Sequence, residues 1–216
     1  MKRIHSFGSF ILESQIPEFH SFNRPIYKKQ DIKEYVAPAL LKACEIFWDK
    51  NIRTTGSWVP SQQDPGGRTR ENYIDIQFTS LSEKNKEIAL GLGEMTGYAG
   101  DYWMLEQGRV PETYLQVKIL DRHSSLEDIE KKSVEIANQF EQQALLWYSP
   151  VTLDQKIEEY EDMKAHYPSD AIPDIDRAIN WTKENWGEDL SGDQYFDEHT
   201  RTIWASKELY VKSKIK

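Results

Sequence analysis

The sequence predicts an α+β fold: an antiparallel sheet of four to five strands with helices on one face, continued by a helical C-terminal extension. Three observations carry this. Apolar residues recur at three- and four-residue spacing in some segments and alternate strictly in others, as in Tyr73 to Phe78. Seven Trp, eleven Tyr and eight Phe supply enough burial for a core without disulfides. Beyond Pro150 the composition turns helical and acidic, which divides the chain into a sheet domain (1–148) and an acidic helical extension packed on it (149–216).

Taken in order, Phe7 to Leu12 reads as a first strand, followed by a loop with Pro17 and Pro25. A helix starting at Asp31 or Pro38 runs to Lys50 and puts Leu40, Leu41, Cys44, Phe47 and Trp48 on one face. Pro38 either opens or kinks it. Ile52 to Val59 reads as a strand and 60–71 as a Pro- and Gly-rich loop. In the next strand Ile74, Ile76 and Phe78 point inward, and Tyr73, Asp75 and Gln77 outward. Ser80 and Glu83 form a capping-box pattern before a helix carrying Ile88, Leu92 and Met95.

Tyr98 to Leu105 and Thr113 to Leu120 read as a strand pair turned around Gly108 and Pro111. Ser125 and Asp128 cap a helix expected to reach about Tyr148 and to bury Ile129, Ile136, Ala137, Phe140 and Trp147. At an offset of 41 residues Thr55-Gly56 aligns with Thr96-Gly97, and Ile74 and Ile76 with Leu115 and Val117. That suggests a tandem helix-strand-strand repeat, although alternating strands also match by chance. With a strand at Phe7 to Leu12 the element order fits a ferredoxin-like variant. Thr152 to His166 and Pro173 to Trp186 read as helices, Gly187 as a C-cap, Tyr195 to Trp204 as a hairpin, and Ser206 as the start of a terminal helix.

Composition narrows the functional classes. Lys plus Arg is 27 and Asp plus Glu is 36, a net charge of -9, and the mean hydropathy is -0.71. An acidic chain argues against nucleic acid and anionic membrane surfaces as partners. The longest apolar run, Val36 to Leu41, is far short of the ~18 residues that span a bilayer. The start Met-Lys-Arg is not followed by an apolar signal core, so the expected location is cytoplasmic. Cys44, the lone cysteine, falls on a helical apolar stripe and reads as a buried, inert thiol.

Phosphate-binding, dinucleotide, zinc-protease and nucleophile-elbow motifs are absent from the sequence, which calls for no cofactor and no metal. Asp121-Arg122-His123 and Asp197-Glu198-His199 place a histidine at a strand end and a turn, without an identifiable nucleophile nearby. Three constellations remain. The loop Asp64 to Arg70 combines two glycines with Arg68 and Arg70, a pattern that suits a phosphate or carboxylate but also suits an ordinary exposed loop. Strand parity gathers Arg53, Thr55, Ser57, Tyr73, Asp75 and Gln77 on the outward sheet face, with Tyr114, Gln116 and Lys118 beside them. From these two, Arg53, Ser57, Arg68, Arg70, Tyr73 and Asp75 form a candidate site for a small anionic ligand.

The third constellation is charge. Between Asp154 and Glu198 fourteen acids face only Lys156, Lys164, Arg177 and Lys183, a local balance of -10. Acids interleaved with aromatic residues suit a basic protein partner, and they equally keep a helix face solvated. The leading expectation is a protein-binding module (adaptor, inhibitor or immunity-type protein) using Glu158, Glu161, Asp162, Trp181 and Trp186. The alternative is an enzyme or ligand-binding domain using the sheet face and the Arg68/Arg70 loop.

Overall fold

The computed structural model of the chain describes residues 26–59, 71–96, 114–121 and 123–215. The expected strand at Phe7 to Leu12, the loop carrying Arg68 and Arg70, and the expected strand at Tyr98 to Leu105 with its turn lie outside them. Secondary structure is mixed helix and antiparallel sheet, the α+β class expected.

The first helical stretch is two helices, α1 (Ile32–Tyr35) and α2 (Pro38–Asp49). Val36 and Ala37 between them are extended, the conformation imposed on residues that approach a proline, and Pro38 opens α2 where its missing N–H costs nothing. Leu40, Ala43, Cys44, Phe47 and Trp48 form its buried face. After α2 come β1 (Thr54–Trp58) and β2 (Glu71–Gln77). A single turn of 3-10 helix, Phe78–Ser80, then leads to α3 (Glu83–Leu90). Ser82, rather than Ser80, caps α3 by accepting the Asn85 N–H at 3.4 Å, while the Ser80 hydroxyl donates to the Gln77 carbonyl.

Met95, expected in that helix, lies instead in the three-residue β3 (Glu94–Thr96), opposite Leu115 of β4 (Tyr114–Asp121). Gly93 permits this turn out of the helix, because a Cβ there would run into the Gln116 backbone. The sheet has the antiparallel order β1-β2-β4-β3. Both sides of β2 are taken, by β1 and β4. The order of the described strands, with β1 and β4 on the two sides of β2, does not by itself show a ferredoxin-like sheet.

α4 (Leu126–Gln139) is capped by Ser125, as expected, with its hydroxyl accepting the Asp128 N–H at 3.1 Å. It stops nine residues before Tyr148. Phe140 is already extended and buried edge-on against the Phe47 ring, with centroids 5.2 Å apart. The Lys50 ammonium closes the helix end, donating to the carbonyls of Ala137 (2.9 Å), Asn138 (3.2 Å) and Phe140 (2.6 Å). α2 and α4 pack together over one face of the sheet and enclose Ile74, Ile76, Leu115, Val117 and Ile129, all fully buried.

The C-terminal region follows its expected order: α5 (Leu153–His166), α6 (Ile172–Glu184), the hairpin β5 (Tyr195–Asp197) and β6 (Thr202–Trp204), and α7 (Lys207–Lys212). Thr152 and Gln155 form a reciprocal capping box on α5, and Ser206 caps α7. Gly187 has φ +92°, and any side chain there would strike the Phe196 ring. Trp204 and Leu209 join the same core as α2 and α4.

Candidate functional site

On the outward sheet face the structure brings together most, but not all, of the residues that parity grouped. Asp75 lies directly between Gly56 of β1 and Gln116 of β4, whose amide donates to the Asp75 carboxylate at 3.2 Å. Tyr73 lies opposite Lys118 and Trp58, and the Gln77 N–H donates to the Arg53 carbonyl. Ser57 is a correction. The pairing of β1 shifts between Thr54 and Gly56, a bulge that inserts Thr55 as an extra residue. One extra residue reverses parity, so Ser57 lies opposite Ile74 on the core face, and Gly56 and Trp58 take the outward positions.

This face is not an open platform. Asp75 is 2% exposed and Gln77 is 6% exposed, although both point away from the helices. The Arg53 guanidinium donates to the Gln77 side-chain oxygen at 3.3 Å and lies 5.9 Å from the centre of the Trp147 ring. Trp147 belongs to a row of aromatic rings. It meets Trp48 (5.7 Å) and Tyr148 (6.1 Å), and Tyr148 in turn meets Tyr27 (5.8 Å) and Trp204 (5.6 Å). Burial pushes the Tyr27 and Tyr148 hydroxyls above their ordinary range, Arg53 pulling the other way on Tyr27.

After α4 the chain forms a buried amide hub that sequence reasoning missed. The Gln143 side-chain N–H group donates to the Ser80 carbonyl (2.8 Å) and the Asn51 carbonyl (3.3 Å). Its oxygen accepts from the Ser82 N–H (2.8 Å) and the Asn85 amide (2.9 Å). Asn51, at φ +61°, donates to the Gln143 carbonyl at 2.7 Å. All four side-chain valences of Gln143 are thereby used in holding the stretch after α4 against two loops. The hub is a structural staple.

The second surface is the α5–α6 hairpin. α5 has no buried residue. Glu158, Glu161 and Asp162 are exposed and share a helical face with Asp154. Glu161 pairs with Lys164, which also reaches Asp176 across the hairpin, and Arg177 pairs with Asp174. Among the described residues, no basic side chain pairs with Glu158 or Asp162. Trp181 is 50% exposed on α6, whereas Trp186 is half-buried and donates its indole N–H to the Arg201 carbonyl at 2.8 Å.

At the β5–β6 turn, desolvation raises the Asp197 carboxyl but the Thr200 hydroxyl and the His199 N–H hold it below its ordinary value overall. That arrangement closes a turn through the His199 backbone N–H. No group of three or more His, Cys, Asp or Glu able to hold a metal occurs among the described residues, nor any helix long and apolar enough to cross a membrane. Comparison of the chain with models of known protein families, with curated proteins and with solved structures finds no match.

Proposed function

We propose that this chain is a protein-binding module, of adaptor, inhibitor or immunity type, that meets a basic partner through the α5–α6 hairpin. The observation that carries the reading is the hairpin's surface. A 14-residue helix with no buried residue stands beside a half-exposed tryptophan, and residues 153–184 carry -5 of the -10 charge balance between Asp154 and Glu198. Carboxylates of that density steer a basic partner, and a ring such as Trp181 supplies the contact that holds it. Trp186, braced on Arg201, supports the hairpin's base rather than its tip.

The small anionic ligand on the sheet face is the weaker reading. Arg53 already serves Gln77 and Trp147, and Asp75 is buried and engaged by the Gln116 amide. A cytoplasmic location suits the lone buried Cys44. A duplicated helix-strand-strand unit suits the pairing of Asp75 with Gln116, 41 residues on, at the centre of the sheet. The outer strands fit it less well, since Glu94 rather than Gly97 lies opposite Gln116.

The test is capture of partners from source-cell lysate by the tagged chain at low and high salt, followed by binding kinetics. E158K/E161K/D162K should slow association several-fold with little change in dissociation, and Trp181→Ala should speed dissociation about tenfold or more. A captured partner whose association ignores both salt and charge reversal would sink the reading.

A further inference from the structure

We infer that the α5–α6 hairpin is a hinged arm, moving as one body on a narrow stem, and that the partner surface proposed above therefore rides on a pivot independent of the core. The juxtaposition behind this is at the arm's base. Val151 and Ile203 exchange two backbone hydrogen bonds of 2.9 Å, which fix to the body the point where the chain leaves it for α5.

Within the arm, α5 and α6 pack on each other and neither packs comparably on any other element. The buried residues of α6, Ile175 and Ile179, stand apart from the core that gathers α2, α4, the sheet and α7. The cross-hairpin pair Lys164–Asp176 ties the arm to itself. On the returning side the fixed points come after α6. Trp186 holds the Arg201 carbonyl, Gly187 sits against the Phe196 ring, and Asp193 pairs with Lys28. The pivots are thus Pro150–Thr152 on the way out and Asn185 on the way back. A body with its own internal contacts and two backbone connections is expected to move as a unit on the microsecond-to-millisecond scale.

The chain suits a spin-label distance measurement, because its native thiol, Cys44, is buried. Three double variants of the full chain are compared. Ala165→Cys with Lys131→Cys spans arm and body, Ala165→Cys with Lys183→Cys lies within the arm, and Lys42→Cys with Lys131→Cys lies within the body. All four positions carry exposed side chains. The arm–body distance distribution should be about twice as wide as either internal one, and a captured basic partner should narrow it. An arm–body distribution as narrow as the two controls overturns the hinge. A wide distribution, with partner capture indifferent to E158K/E161K/D162K, upholds the hinge and sinks the functional reading instead.

Discussion

Cys44 shows how burial turns one atom into a pH-dependent term in stability. Its thiol lies on the core face of α2, and burial pushes its pKa up from 9.0 to about 12. Above about pH 9 the unfolded chain loses this proton while the folded chain keeps it, so stability falls as pH rises through that window. The expected loss is about 1.4 kcal/mol per pH unit. Lys50 and Lys212 act in the opposite sense, because burial holds both ammonium groups below their ordinary range and the unfolded chain binds their protons more tightly. The difference between wild type and Cys44→Ala therefore isolates the thiol. Urea unfolding at about pH 8 and about pH 10 should show wild type losing about 1.4 kcal/mol more than the variant; equal losses would place the thiol in water.

Elements were legible where their signals are local. Ser125, Thr152 and Ser206 cap the helices that follow them, and Gly187 takes the left-handed conformation its position implies. Two failures have non-local causes. The apolar spacing runs on through Trp147, yet α4 stops at Gln139 because Phe140 is drawn to Phe47 and Gln143 to the loops at residues 51 and 80–85. Neither partner is visible within a helical window. On β1 the bulge at Thr55 reversed the face of Ser57, and the one local sign of it is Gly56, a glycine inside a strand. The bulge carries its own prediction. A Cβ on Gly56 would come within 2.7 Å of the Asp75 carboxylate, so Gly56→Ala should cost about 1–3 kcal/mol. Because the two residues touch, the cost should shrink in the Asp75→Ala background. Strict additivity in urea denaturation would refute the contact.

At the scale of the whole molecule, the C-terminal segment completes the core. Glu208 accepts the Trp48 indole N–H at 2.9 Å and Lys212 donates to the Trp48 carbonyl at 2.7 Å, so α7 grips one residue of α2 from two sides. The Ser206 hydroxyl donates to the Tyr27 carbonyl, 179 residues away, and the Tyr148 hydroxyl accepts the Ala205 N–H at 2.7 Å. Trp204 and fully buried Leu209 fill the space between. A chain ending at Tyr148 loses these residues and exposes their aromatic partners, and should lack a cooperative thermal transition and near-ultraviolet circular dichroism. A sharp melt from that fragment would show that residues 26–148 make a sufficient core by themselves.

The two fixed ends of the α5–α6 hairpin, Val151 and Trp186, also bear on how such a protein changes over generations. An excursion fixed to the body at Val151 on one side and at Trp186 on the other can gain or lose helical turns without moving any residue of the core. On the exposed face of α5, around Glu158 and Asp162, carboxylates can be added or traded for other side chains at little thermodynamic penalty. Partner choice and foldability are thereby exposed to selection separately. Under pressure from a changing partner, substitutions should accumulate at the exposed positions of 153–184 while Ile175, Ile179, the aromatic row and the Gln143 hub stay fixed.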